Sequence, residues 1–77
     1  AISCSGNSKN IIKAVKYANK KRATVIGITG FDGGKLKKKS DINYHVPTKK
    51  GEYGIVEDAH MILNHILYSY YIEQAQK

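Results

Sequence analysis

The chain has 77 residues, of which 42% are hydrophobic and 25% charged, with a formal net charge of +7. This length suits one small domain, and the apolar fraction is ordinary for a folded protein. No apolar run approaches the roughly 20 residues of a membrane span, and no signal-peptide pattern opens the chain. The single cysteine, Cys4, has no partner for an internal disulfide, so a reducing, cytoplasmic setting is expected.

Most of the positive charge lies in two groups of basic residues, at positions 9–22 and 35–39. The spacing of the first group places four lysines on one face of a predicted helix, opposite an apolar face. This pattern is typical of a solvated helix surface, with anion steering and nucleic-acid binding as the less favoured alternatives. The four lysines are Lys9, Lys13, Lys16 and Lys20.

The first half of the chain alternates between strand and helix patterns. Residues 1–3 resemble the end of a strand, and the small polar residues 4–8 form a loop. From Lys9 to about Lys21 the apolar residues recur with helical spacing, and Asn7 and Ser8 are both suitable N-caps. Residues 23–29 are largely β-branched and nearly continuously apolar, which predicts a strand buried on both faces.

The second half continues this alternation. Glycines mark a loop around Asp32, a short basic helical turn follows over residues 35–39, and residues 41–46 predict a strand that stops at Pro47. After a polar loop, the chain from Ile55 to about Gln76 predicts one long amphipathic helix. Its expected core positions are Ile55, Ala59, Ile62, Ile66 and Ile72, with Val56, Leu63, Leu67, Tyr70 and Tyr71 widening the apolar stripe.

Strands that alternate with helices predict an α/β fold with a parallel sheet and right-handed crossovers. Only three strands are predicted, and the first is the end of one. A parallel sheet needs cover on both faces, which one long and one medium helix hardly provide. We therefore expect residues 1–77 to be the C-terminal half of a single larger domain.

Residues Ser3 to Ser8 place three hydroxyls and a glycine between a strand and a helix N-terminus. Unpaired backbone N–H groups and the helix dipole attract an anion at such a position, and Gly6 permits close backbone approach. In open parallel sheets, ligands bind beyond the carboxyl ends of the strands, where this loop is expected. The pattern is neither a Walker loop nor a dinucleotide fingerprint, and a serine-rich cap without a ligand remains the alternative.

The run Ser3-Cys4-Ser5-Gly6-Asn7-Ser8 resembles the Ser-Thr-Ser-Gly-Asn-Ser loop of the SIS (sugar isomerase) domain family. The following helix, strand, glycine-containing loop and Val46-Pro47 strand end match in order and spacing. The resemblance implies a three-layer, Rossmann-like (flavodoxin-like) parallel sheet whose loop wraps the phosphate of a sugar phosphate. It also implies hydroxyl contacts to phosphate from Ser3, Ser5 and Ser8, with Cys4, Gly6 and Asn7 shaping the loop.

The segment from Glu57 to Leu67 resembles the Gln-Glu-x-His-x4-His-x-Leu helix of the phosphoheptose isomerase branch. The resemblance implies catalytic roles for His65 and Glu57, which in some members are zinc ligands. Glu57 stands where Gln is usual. The two residues lie about 12 Å apart along one helix, so a shared metal site requires an opposing subunit or a frayed helix end. The alternative is an ordinary packing helix in which Glu57 and His60 form a surface pair.

The expected activity is isomerisation of sedoheptulose 7-phosphate to D-glycero-D-manno-heptose 7-phosphate, a step toward bacterial surface polysaccharide. The resemblance implies a phosphorylated sugar substrate, possible zinc, no organic cofactor, and a homodimer or homotetramer with shared active sites. Nucleic-acid or membrane partners are not expected. The alternatives are a non-catalytic SIS module that senses phosphosugars or binds a replication initiator, an isomerase for hexulose or arabinose phosphates, and a nucleic-acid-binding module.

Overall fold

Three short strands and three helices alternate along the chain in a computed structural model that describes all 77 residues. The elements are β1 (Ile2–Ser3), α1 (Lys9–Lys20), β2 (Ile26–Phe31), α2 (Gly34–Lys39), β3 (Ile42–Pro47) and α3 (Tyr53–Ala75). The strands form one parallel sheet in the order β1-β2-β3. The predicted α/β order and parallel sheet are therefore confirmed. None of the helices combines the length and apolarity that crossing a membrane requires.

The second strand begins later than predicted, at Ile26, because Val25 is tied to the start of β3. The Val25 N–H donates to Asp41 Oδ2 at 2.8 Å. The Asp41 N–H in turn donates to the Val25 carbonyl at 2.8 Å. These two bonds occupy the backbone groups of Val25 before regular strand pairing starts at Ile26 and Ile42.

The helices lie on opposite faces of the sheet. A Cβ added at Gly27 would meet Ser40, just after α2, whereas one added at Gly30 would meet Val56 of α3. Side chains of a strand alternate between faces, so positions 27 and 30 point in opposite directions. The α2 helix therefore covers one face and α3 the other, which gives three layers.

The core lies between α1, α2 and the sheet. Ile12, Val15, Val25 and Leu36 form one buried cluster, and Leu36 has no exposed surface. Four apolar residues of α1 face this cluster, Ile11, Ile12, Val15 and Ala18, while its four predicted surface lysines are exposed. The predicted solvated face of α1 is confirmed.

The expected core positions of α3 are largely wrong for this chain. Val56 is the buried residue of the helix, whereas Ile55, Ile62, Ile66 and Ile72 are between 44% and 60% exposed. The helix has 23 residues and a length of about 34 Å, but each of the two longer strands has six residues and spans about 20 Å. Only the first turns of α3 reach the sheet, so the rest of its apolar stripe has nothing to pack against in this chain.

The second strand is covered on both faces only toward its carboxyl end, where Gly30 is buried beneath Val56, whereas burial on both faces was expected along its whole length. The side chain of Ile26 is 51% exposed. Ile2 on β1 and Ile42 on β3 are 60% and 57% exposed. These three side chains lie on the α3 side of the sheet, where Ile26 pairs with Ile42 and Ile2 with Ile28. The cause is the short overlap between α3 and the sheet.

Candidate functional site

The loop between β1 and α1 closes on itself through serine hydroxyls. Gly6 has φ +69°, and its N–H donates to Ser3 Oγ at 3.0 Å and to the Ser3 carbonyl at 3.2 Å. The Ser3 and Ser8 hydroxyl oxygens lie 3.1 Å apart. Ser3 is 7% exposed, and its hydroxyl oxygen contacts both the Gly6 N–H and the Ser8 hydroxyl.

The same loop rests on the segment that joins β2 to α2. The Gly30 N–H donates to the Cys4 carbonyl at 2.9 Å, and the Leu36 N–H donates to the Gly6 carbonyl at 2.9 Å. The Lys35 N–H donates to Asn7 Oδ1 at 3.0 Å. Two first-turn N–H groups of α2, those of Lys35 and Leu36, thus bond to the loop, and Asn7 connects the loop to α2 rather than capping α1.

The first backbone N–H groups of α1 are not hydrogen-bonded within the chain. Ser8 is the N-cap residue without a side-chain cap bond, and the first bond to it comes from the Ile12 N–H at 2.9 Å. The N–H groups of Lys9, Asn10 and Ile11 have no hydrogen-bond partner in the chain. Ser5 Oγ accepts a bond from the Asn7 N–H at 3.1 Å, which leaves the Ser5 hydroxyl hydrogen available. Unpaired N–H groups, a hydroxyl and the positive end of a helix dipole together suit an anion.

Glu57 lies beside this loop, across a cavity of about 400 Å³. Burial, together with the nearby Glu57 carboxylate, raises the pKa of the Cys4 thiol. Cys4 is therefore held in its thiol form at neutral pH, which argues against a nucleophilic thiolate. The cavity is lined by Ile2, Ser3, Cys4, Glu57, His60, Met61 and Asn64.

His65 does not reach the same cavity. It is exposed two turns further along α3, in a shallow depression with Ile62, Ile66 and Tyr70. The structure therefore brings Glu57, but not His65, to the serine loop of the same chain. No group of three or more His, Cys, Asp or Glu residues is placed to hold a metal ion. The residues of this chain alone do not fit a complete zinc site.

A hydrogen-bond network that joins β2 to β3 and α3 was not predicted from the sequence. Thr29 has no exposed surface, and its Oγ1 lies 2.9 Å from His45 Nδ1 and accepts a bond from Asn43 Nδ2 at 3.2 Å. The His60 Nε2 donates to the Thr29 carbonyl at 2.9 Å and so joins α3 to β2. Burial and the charge of Lys37 lower the pKa of His45, which favours a neutral ring that accepts the Thr29 hydroxyl hydrogen. The alternation of Asn43 and His45 along one strand face was the only sequence signal for this network.

A second, smaller cavity of about 230 Å³ also adjoins the loop. Two of its lining residues, Thr48 and Lys50, belong to the segment between β3 and α3 and were not predicted as site residues. The lining residues are Ser5, Asn7, Phe31, Asp32, Thr48 and Lys50.

The fold and this loop together define a class, that of α/β domains with a serine-rich loop at the carboxyl edge of a parallel sheet. Comparison with known proteins makes the assignment specific, since residues 1–69 match the model of the SIS domain family. The chain belongs to the SIS domain family. The membership expected from the loop motif is confirmed.

Curated relatives that are about 40% identical to this chain are named phosphoheptose isomerases. The protein of that name from Fusobacterium nucleatum is 42% identical over 66 residues, which cover 86% of this chain and 33% of the relative. The one from Buchnera aphidicola is 40% identical over 77 residues, covering 100% of this chain and 39% of the relative. The chain thus spans little more than a third of the length of these relatives.

A solved structure supports the same assignment. The phosphoheptose isomerase GmhA from Neisseria gonorrhoeae resembles this chain with a TM-score of 0.76 and 38% sequence identity. The match covers 84% of this chain and 36% of that protein. The expected SIS-type parallel sheet is confirmed, in partial form.

Proposed function

We propose that this chain is the C-terminal half of the SIS domain of a phosphosugar isomerase that converts sedoheptulose 7-phosphate to D-glycero-D-manno-heptose 7-phosphate. The observation that carries the proposal is the serine loop, with free N–H groups at Lys9, Asn10 and Ile11 and with Glu57 across the adjoining cavity. The names of the relatives supply the substrate class.

The reaction is an aldose–ketose isomerisation through an enediol. A base removes a proton from C1 of the ketose, and a proton is returned to C2 while the oxygen protons are exchanged. The loop binds the phosphate, which is remote from the reacting carbons, and this binding energy positions them. The Glu57 carboxylate is the group of this chain placed to move such a proton, because it shares a cavity with Ser3 and Cys4.

His65 would take part in catalysis only at the serine loop of a second subunit. It lies eight positions after Glu57, about 12 Å along the helix, and is exposed. A homodimer or homotetramer with shared active sites would bring His65 of one subunit to the loop of another. Zinc is part of the proposal only with additional ligands from such a partner.

The test is a coupled assay of sedoheptulose 7-phosphate isomerisation by the full-length gene product. We expect turnover in the wild type and a loss of at least about tenfold in His65→Ala, because a positioned proton-transfer group contributes about 10²-fold or more. Glu73→Ala, on the same exposed depression as His65, is the matched control and should retain activity. Chelation followed by zinc addition reports on the metal. Absence of turnover with intact folding would contradict an enzymatic role.

A non-catalytic SIS module is the second candidate. It is favoured by the separation of Glu57 and His65, which leaves this chain without an assembled acid–base pair. In that case sugar phosphates would raise the melting temperature of the protein without being converted.

A further inference from the structure

The smaller cavity beside the serine loop shares no lining residue with the cavity of Glu57. One side is formed by Ser5 and Asn7 of the loop, and the other by Thr48 and Lys50 from the segment between β3 and α3. Lys50 is the only cationic residue of this lining. The sequence predicted an anion site formed by Ser3 to Ser8 alone. The tertiary structure adds Lys50, which lines the same cavity as Ser5 and Asn7.

The segment that carries Lys50 forms a turn closed by two hydrogen bonds. The Lys49 N–H donates to Glu52 Oε1 at 2.7 Å, and the Glu52 N–H donates to the Lys49 carbonyl at 3.1 Å. Behind it, Tyr53 meets the ring of Phe31 edge-on, with 5.0 Å between centroids. The two bonds order the backbone of the turn that contains Lys50, and the ring contact joins the start of α3 to the end of β2.

The lining carries one cation, Lys50, and one carboxylate, Asp32, so an anionic ligand would lie on the Lys50 side of the cavity. Asp32 is its one acidic residue, and Oδ1 of Asp32 accepts the Gly34 N–H at 2.9 Å. The loop itself offers hydroxyl and N–H dipoles but no formal charge on Ser5 or Asn7. A phosphate monoester carries close to two negative charges at neutral pH, and a lysine ammonium is a compact partner for it.

We propose that Lys50 is a phosphate-binding residue, whose ammonium pairs with the phosphate monoester that the serine loop holds through Ser5. The assignment rests on the proposed function, because it takes the substrate of this site to be a sugar phosphate. Lys50 supplies charge and the loop supplies directional donors. Lys50 therefore strengthens binding without taking part in proton transfer.

The experiment measures the affinity of inorganic phosphate for the full-length gene product by calorimetry. In Lys50→Met we expect binding roughly fivefold weaker than in wild type, the scale of a partly exposed ion pair, and less sensitive to added salt. Lys49→Met is the matched control, since its side chain does not line the cavity, and should bind as wild type does. Lys50→Arg should restore most of the affinity.

Equal phosphate affinity in Lys50→Met, Lys49→Met and wild type would overturn the role of Lys50 and leave the isomerase proposal standing. No phosphate binding by the wild type at all would overturn both. Phosphate binding that depends on Lys50, in a protein without isomerase turnover, would support the Lys50 assignment and contradict the enzymatic function. Circular dichroism of each variant excludes a loss of folding as the cause.

Discussion

Gly6 occupies the tightest point of the loop between β1 and α1. A Cβ at this position would overlap the carbonyl oxygen of Gly33, and its φ of +69° lies in the left-handed region. The Leu36 N–H bonds to the Gly6 carbonyl, which joins this loop to the segment between β2 and α2. Backbone packing alone therefore favours glycine at this position.

Alanine substitutions at Gly6 and Gly51 compare the effect of steric overlap on stability with that of a positive φ alone. We expect Gly6→Ala to lower the free energy of unfolding by roughly 3 kcal/mol, since the overlap with Gly33 adds to left-handed strain. The control is Gly51→Ala, where φ is +95° and no atom lies within 4 Å of the added Cβ. That variant should lose only about 1 kcal/mol. Urea denaturation measures both, and equal losses would show that the close packing of the loops contributes nothing.

At the scale of elements, α3 is attached to the sheet by few contacts. Val56, with no exposed surface, lies over Gly30, and His60 bonds to the Thr29 carbonyl. A Cβ at Gly30 would lie 2.5 and 2.7 Å from the two methyl carbons of Val56. The close approach of the helix to β2 therefore depends on a glycine and a valine together.

A double-mutant cycle tests this docking. Val56→Ala alone should lose about 2 kcal/mol of stability through the cavity that it leaves, and Gly30→Ala about 2 kcal/mol through overpacking. Combined, they should lose at least about 1 kcal/mol less than the sum, because the new methyl fills the space of the removed ones. The cycle is read from thermal or urea unfolding. Strict additivity would mean that Gly30 and Val56 are not in contact.

At the scale of the whole molecule, the chain exposes more surface than its size requires. Its accessible surface is 5817 Å², whereas a folded monomer of this mass exposes roughly 4,700 Å². Its radius of gyration is 13.6 Å, against about 11.5 Å for a compact domain of this length. Exposed apolar side chains contribute to this surface, among them Ile2, Ile26 and Ile42 on the sheet and Ile62 and Ile66 on α3. This agrees with the proposal that the chain is half of a domain.

The isolated 77-residue chain should therefore associate and bind a hydrophobic dye such as ANS, while the full-length gene product should not bind the dye. Ile62→Glu combined with Ile66→Glu should reduce association of the isolated chain, because both side chains belong to the exposed stripe. Lys13→Glu, on the solvated face of α1, is the matched control. Sedimentation and dye fluorescence measure the effect. A monomeric isolated chain without dye binding would contradict the half-domain proposal.

The sequence alone determined the order of the elements, the parallel sheet and the family, because hydrophobic periodicity and the Ser3–Ser8 motif are local properties of the chain. It also indicated where an anion would bind, since a helix N-terminus after a strand is a local feature. Only the tertiary structure decided which side chains meet there. It brought Glu57 and Lys50 to the loop, left His65 outside, and joined Thr29 to His45 and His60. These contacts depend on strand register and on how far α3 overlaps the sheet, and neither is encoded in residue spacing.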